Sequence, residues 1–168
     1  MKNNFRKILL FLFILFFTNN LSAEVVKKIV VKGNERISDE TVVVYGDIEV
    51  NKNYTQEDID IVLKKLYETK FFSKVSINFS LGVLNINVEE NPIIDKILVK
   101  GEPAQKYIEG ILNLLSLKEK SSFLKSEVKK DIETIKNFYR SLGYYSPTVE
   151  ARVQDAEIGK NLLNLIFS

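Results

Sequence analysis

The 168-residue chain contains no cysteine and no histidine, which excludes disulfides, thiolate or imidazole metal sites and a Ser-His-Asp triad. Its 24 basic and 22 acidic residues give a formal net charge of +2, and because residues 1–23 hold three basic and no acidic residues, the rest of the chain carries −1. That balance does not favour nucleic acid as a partner, since it offers phosphates no excess of positive charge.

Residues 1–23 have the three-part pattern of a secretory signal peptide. Lys2, Arg6 and Lys7 precede an apolar run at Ile8–Phe17, and Ala23 offers a small residue for cleavage. The apolar run is well short of the roughly 20 residues that span a bilayer core. We therefore expect export and cleavage near Ala23, with a retained N-terminal anchor as the alternative.

The first half of the remaining chain predicts two helices between strands. Thr55 with Asp58 is typical of a reciprocal helix cap, and Leu81-Gly82 is typical of a turn between two alternating strands. The predicted elements are, in order, a strand at Val25–Lys32, a helix from Ser38 to about Gly46, a helix from Thr55 to about Lys70, and strands at Val75–Phe79 and Leu84–Val88.

The same order of elements then repeats, with Gly101 placed 68 residues after Gly33. The second set comprises a strand at Ile94–Lys100, helices at about Ala104–Leu115 and Lys125–Ser141, and alternating strands around Val149–Val153 and Leu163–Phe167. We expect an α+β fold made of two tandem βααββ units, each a three-stranded mixed sheet covered by two helices. The aromatic pairs that follow each second helix, Phe71-Phe72 and Tyr144-Tyr145, are expected to pack in the cores.

Several ordered segments resemble a known repeat. They are Ile29-x-Val31-x-Gly33-Asn34, Ile37, Tyr54, Leu63, Phe71-Phe72-x-x-Val75, Val88-Glu89-Glu90-Asn91-Pro92, Ile97-x-Val99-x-Gly101 and Phe138–Val149. They are similar to the POTRA domain, the polypeptide-transport-associated repeat in the periplasmic part of outer-membrane assembly proteins of the BamA superfamily. Two positions depart from that pattern: Glu102 stands where the family usually has Asn, and Lys70 where it often has Gly.

The resemblance implies a signal peptide at 1–23, a first POTRA domain at 24–92 and a second at 93–168, where the chain ends at the third strand. It implies a non-enzymatic periplasmic scaffold, associated with the outer membrane, for β-barrel protein assembly and insertion. Both a fragment of a longer protein, attached to the membrane through a C-terminal barrel, and a free periplasmic module remain open. The alternative is a membrane-anchored POTRA-bearing structural protein of the division or secretion type.

In the family the first strand of each domain hairpin lies at the sheet edge, where it can pair with an added strand by β-augmentation. Carried to this chain, the implied binding residues are Val75, Ser76, Ile77, Asn78, Phe79, Val149, Glu150, Ala151, Arg152 and Val153. The implied partners are unfolded outer-membrane proteins and accessory subunits of the assembly machinery, with no nucleic acid, metal or other cofactor. A competing interpretation is that charge and twist simply protect these edges.

Overall fold

The computed structural model describes residues 24–157 and 160–168, so the predicted signal peptide lies outside the described residues. The first half contains β1 (Glu24–Val25), β2 (Lys28–Lys32), α1 (Asp39–Gly46), β3 (Asn53–Tyr54), α2 (Gln56–Glu68), β4 (Phe72–Ser80) and β5 (Val83–Glu90). The second half contains β6 (Ile93–Val99), α3 (Gln105–Leu114), α4 (Lys125–Ser141), β7 (Ala151–Asp155) and β8 (Leu162–Phe167).

Each half builds a three-stranded mixed sheet whose last strand lies in the centre. β5 pairs in parallel with β2 and antiparallel with β4, while β8 pairs in parallel with β6 and antiparallel with β7. The parallel partner is reached through two helices, as a crossover between parallel strands requires. The predicted α+β class with mixed sheets is confirmed.

The first predicted strand is divided in the structure. Glu24–Val25 pairs antiparallel with Asn53–Tyr54, and only Lys28–Lys32 joins the main sheet. Between them Val26 is fully buried, and its N–H donates to the carbonyl of Lys52 at 3.0 Å. The two-residue ladder was not predicted, because two residues are too few to show a strand period.

The buried apolar side chains form two clusters. One draws on residues between 26 and 88 and includes Val42, Leu66 and Ile86. The other draws on residues between 94 and 167 and includes Ile135 and Phe167. In both, side chains from the helices meet one face of a sheet, which is the layer arrangement that two amphipathic helices and an alternating sheet favour.

The second helix of the first half begins where the cap was predicted. The N–H of Thr55 donates to Asp58 Oδ2 at 2.8 Å, and the N–H of Asp58 donates to Thr55 Oγ1 at 3.3 Å. Because these bonds satisfy donors that a helix start leaves free, they fix the first turn of α2. The apolar stripe that follows contributes Ile59, Val62 and Leu66 to the core.

The segment Glu90-Asn91-Pro92 holds a loop of the first half in place. Glu90 is buried, and its Oε1 accepts the backbone N–H groups of Glu35, Arg36 and Ile37 at 2.9, 3.0 and 2.9 Å. Arg36 also forms an ion pair with the second carboxylate oxygen at 3.0 Å. The loop that follows β2 is therefore closed by the end of β5.

The connection between the two sheets is short and bonded on both sides. Asn91 donates its side-chain N–H to the carbonyl of Lys70 at 2.9 Å. From the second half, the N–H of Phe123 donates to the carbonyl of Pro92 at 2.7 Å, and Asn161 Nδ2 donates to that of Glu90 at 3.1 Å. Pro92 ends β5 as expected, since proline cannot supply the ladder with an N–H.

Gly33, after β2, and Lys70, after α2, both adopt a left-handed backbone. Gly33 has φ 85°, and a Cβ there would lie 2.1 Å from the carbonyl oxygen of Val88, so only glycine fits. Lys70, where the resembling family often has glycine, has φ 62°. Lys70 thus adopts the left-handed conformation that glycine favours, and its carbonyl accepts a hydrogen bond from Asn91.

Candidate strand-edge binding sites

The strand order places the predicted binding segments at sheet edges. β4 and β7 are each paired on one side only, with β5 and β8 respectively. β2 and β6 are the other outermost strands. The edge of β6 is covered, since Ile94 exchanges backbone bonds with Lys120 and Ser121, and the N–H of Ile97 donates to Glu119 Oε1 at 2.9 Å.

The hairpin turn decides which residues of β4 present free backbone groups at the edge. Leu81 and Gly82 both have positive φ, 52° and 78°, which makes the two-residue loop a type I′ turn. Ser80 and Val83, which flank the turn, form a hydrogen-bonded pair, and such pairs alternate along an antiparallel ladder. The backbone groups at alternate positions therefore point away from β5; these are Val75, Ile77 and Phe79.

The same reasoning applies to β7. Glu150 exchanges two backbone bonds with Ser168, at 2.8 and 3.0 Å, and the N–H of Ala156 donates to Leu162 at 3.0 Å. The hydrogen-bonded positions of β7 are therefore the even-numbered ones. Ala151, Val153 and Asp155 present their backbone N–H and C=O groups to the open edge.

The limits of the second edge differ from the prediction. The predicted binding residues run from Val149 to Val153, whereas β7 spans Ala151–Asp155 and is preceded by the Glu150–Ser168 pair. Pro147 lacks an N–H, and Val149 turns into a cavity beside the helices instead of extending the strand. Val149 and Glu150 thus precede β7, and Gln154 and Asp155, which were not predicted, belong to it.

Side chains on the two edges alternate differently. In β4 Val75 is buried and Ile77 and Phe79 are half-buried, while Ser76 and Asn78 are exposed on the other face, as predicted. In β7 Ala151 packs on the core, but Val153 is 54% exposed, so the predicted inward side of the strand fails there. Arg152 and Glu150 form an exposed ion pair at 3.2 Å. The outer half of β7 is therefore solvent-accessible on both faces.

The cavity beside Val149 has a volume of about 570 Å³ and is lined by aromatic and aliphatic groups. Tyr139 donates its hydroxyl proton to Glu102 Oε2 at 2.7 Å. Burial, and then the hydrogen bond to Glu102 and its negative charge, raise the pKa of Tyr139. Glu102 Oε1 also accepts the N–H of Ala104, so this departure from the family pattern ties α4 to the start of α3.

The second aromatic pair does not pack like the first. Phe72 is 3% exposed in the first core, whereas Tyr144 is 58% and Tyr145 97% exposed. The expectation that both pairs lie in the cores is therefore wrong for Tyr144 and Tyr145. Gly143, at φ 95°, turns the chain at this point, and a tyrosine can keep its hydroxyl hydrated only near the surface.

Within residues 24–157 and 160–168 no helix is long and apolar enough to cross a membrane. The same residues contain no group of three or more acidic side chains arranged to hold a metal ion. The backbone groups along β4 and β7, which carry the predicted binding segments, form the candidate site and suit an extended chain.

The chain is similar in sequence and in fold to known proteins. Residues 92–168 match the family model described as POTRA, surface antigen variable number repeat. The outer membrane protein assembly factor BamA of Neorickettsia risticii is 29% identical over 127 residues, which cover 76% of this chain and 17% of that protein. The chain thus spans about a sixth of this relative's length.

Two solved structures share the fold. The N-terminal domain of Omp85 from Thermosynechococcus elongatus superposes with a TM-score of 0.55 at 19% identity, covering 87% of this chain and 63% of that one. POTRA1-2 of the periplasmic domain of Omp85 from Anabaena gives a TM-score of 0.50 at 17% identity, covering 89% and 97%.

Proposed function

Because this chain is a POTRA-domain protein related to the outer membrane protein assembly factor BamA, we propose that it is a non-enzymatic periplasmic scaffold for the assembly and insertion of outer-membrane β-barrel proteins. Its clients would be unfolded outer-membrane proteins, and its other partners accessory subunits of the same machinery. The proposal is carried by one observation: two sheet edges, on β4 and β7, offer backbone groups that an extended chain can bond.

The proposal includes the organisation of the chain. Residues 1–23 are a signal peptide cleaved near Ala23, residues 24–92 a first POTRA domain and residues 93–168 a second. Support for the first domain comes from the equivalent strand order of the two sheets and from the separate buried clusters. Export places the mature chain in the periplasm, next to the outer membrane where its clients assemble.

The proposed mechanism is β-augmentation, in which a client segment adds a strand beside β4 or β7. The bonds would form with main-chain groups, chiefly those of Ile77, Phe79, Ala151 and Val153, so they place little demand on the client's side chains. This suits a partner whose strands differ in sequence from one protein to the next. Clients in extended form supply N–H and C=O groups at the same spacing of two residues.

The experiment that tests the mechanism removes outward N–H groups while keeping the ladders. In the double variant Ile77→Pro with Val153→Pro, proline replaces residues whose N–H does not pair with β5 or β8. Each lost client hydrogen bond is worth about 0.5–1.5 kcal/mol, so we expect affinity for a urea-denatured outer-membrane barrel protein to fall about five- to hundredfold. Photo-cross-linking and fluorescence titration would measure it.

The matched control is Ile77→Ala with Val153→Ala, which shortens the same side chains but keeps both N–H groups. The control should bind the denatured client about as well as the unaltered protein, and circular dichroism should report the same helix content in all three. Equal client binding by the proline and alanine variants would contradict edge pairing at these positions.

A further inference from the structure

Of the three β4 residues whose backbone groups point to the open edge, Val75 is already hydrogen-bonded by a side chain of the same protein. The hydroxyl of Tyr67, near the end of α2, accepts the N–H of Val75 at 3.0 Å and lies 3.4 Å from its carbonyl oxygen, to which it can donate. Both backbone groups that Val75 would offer to an added strand are thus met by a single side-chain hydroxyl. Val75 itself is buried, so a neighbouring strand could reach these groups only by displacing the tyrosine.

Two other features close the same end of β4. The register of the ladder shifts between Phe72 and Lys74, which places a bulge at Ser73, and bulges interrupt the regular pairing that an added strand needs. Lys74 is exposed on the edge beside it, and an edge lysine opposes unwanted pairing. The N-terminal part of β4 therefore carries three devices that oppose strand addition.

The other end of β4 has none of these devices. In the described part of the chain no group bonds to the outward N–H or C=O of Ile77 or Phe79. Beyond them Leu81, in the hairpin turn, is 95% exposed and leaves an apolar side chain at the end of the open edge. The open part of the edge thus runs from Ile77 to the turn.

We propose that Tyr67 sets the register of client binding on the first sheet: an added strand bonds to Ile77 and Phe79 and is stopped before Val75. This inference rests on the proposed function and adds to it a residue that limits the length and position of the client segment. The occupant is an extended polypeptide, because free groups on alternate residues of a strand match only another strand.

The second sheet lacks this stop. Tyr139 occupies the corresponding place near the end of α4, but its hydroxyl is bonded to Glu102 at 2.7 Å and not to the edge strand. Among residues 24–157 and 160–168, no group bonds to the outward backbone N–H or C=O of Ala151, Val153 or Asp155. The two edges would therefore accept client segments of different length. The segment on β7 would be longer, because three residues there can bond to it instead of two.

The test uses Tyr67→Phe, which removes the hydroxyl and keeps the ring, with Tyr139→Phe as the matched control. The probes are end-blocked peptides of alternating threonine and valine in two lengths. The longer peptide has one extra Thr-Val dipeptide, added at the N terminus in one version and at the C terminus in another. Each is studied in a Val153→Pro background, which weakens binding at β7, and the affinity for β4 is read from the amide signals of β4. Backbone amide exchange, resolved by NMR, reports which positions of β4 the peptide covers.

In the unaltered β4 edge we expect the peptides to protect the amides of Ile77 and Phe79, with equal affinity for both lengths. In Tyr67→Phe the amide of Val75 should exchange faster in the free protein and become protected by the longer peptide. That peptide should then bind roughly three- to tenfold more tightly than the shorter one, since one hydrogen-bonded position is gained. Tyr139→Phe should leave the β4 footprint unchanged.

The two proposals fail in different ways. If Ile77 and Phe79 stay unprotected with every peptide, edge pairing on β4 is wrong and the role of Tyr67 falls with it. If both amides are protected but Tyr67→Phe gains neither protection at Val75 nor a preference for the longer peptide, the register inference alone is overturned.

Discussion

Replacing Glu90 by alanine is expected to lower the free energy of unfolding by about 3 kcal/mol, because each backbone donor left without its acceptor costs about 1–3 kcal/mol. The carboxylate is 5% exposed and accepts three backbone N–H groups from the loop after β2, in addition to its ion pair with Arg36. Without it the three backbone donors lose their acceptor, whereas Arg36, whose side chain is 36% exposed, keeps its hydrogen bond to the carbonyl of Asn91 at 2.9 Å. Urea unfolding followed by circular dichroism measures the change.

The preceding residue supplies the control. Glu89 lies on the opposite, exposed face of β5 and differs from Glu90 only in which way the strand points it. Glu89→Ala should change the free energy of unfolding by no more than about 0.5 kcal/mol. Similar losses for the two alanine variants would show that the buried carboxylate has no special role.

The stabilisation by Glu90 should depend on pH in a defined direction. Burial opposes ionisation, but the N–H groups of Ile37, Glu35 and Arg36 together with the Arg36 charge outweigh it, so the pKa of Glu90 is lowered from its usual 4.5. A lowered pKa in the folded state means that the stabilisation is complete above the unfolded pKa and is lost as pH falls through the folded one.

The melting temperatures of the unaltered protein and of Glu90→Gln, measured across acid and neutral pH, provide the check. The difference between them should be largest at neutral pH and shrink as pH falls below 4.5. A difference that stays constant through acid pH would mean that ionisation of Glu90 does not contribute.

Sequence periodicity predicted the elements whose pattern is long and regular. The stripe of Ile59, Val62 and Leu66 and the cap at Thr55 fixed α2 to within a few residues, because both depend on neighbours along the chain. The limits of β7 were predicted less well, since they depend on which residues of β8 lie opposite. The same holds for β1, whose partner β3 lies some 28 residues further on.

In the described part of the chain, Glu90 and Asp131 are buried carboxylates, and the sequence carried a signal for each of them. Glu90 continues the inward series Leu84, Ile86, Val88 at a step of two, and Asp131 lies three residues after Val128 and four before Ile135 on the apolar stripe of α4. An acidic residue in phase with a core face predicts a buried acceptor. The contact of Tyr67 with Val75 gave no such signal, because it depends on how α2 packs against β4 in three dimensions.

The second large effect is expected at Asp131. This side chain is fully buried, and its two oxygens accept the N–H groups of Ser116 and Leu117 at 2.7 and 3.0 Å. It thereby holds the segment that follows α3 against α4. Asp131→Ala leaves two backbone donors without their acceptor, of which that of Leu117 is buried, and should cost about 3 kcal/mol of unfolding free energy, since each such donor costs about 1–3 kcal/mol. Asp131→Asn should recover only part, because its amide nitrogen cannot accept.

Glu133→Ala is the matched control, because Glu133 lies two residues away on the exposed side of the same helix and forms only surface ion pairs. It should cost no more than about 1 kcal/mol. Urea titration with methyl NMR signals of Ile86 and Leu165 as reporters distinguishes the two cores. If the halves are separate POTRA domains, Asp131→Ala lowers the midpoint of Leu165 and leaves that of Ile86 in place. Equal shifts at both reporters would mean that the two cores unfold as one, and no shift at either would mean that the buried carboxylate is dispensable.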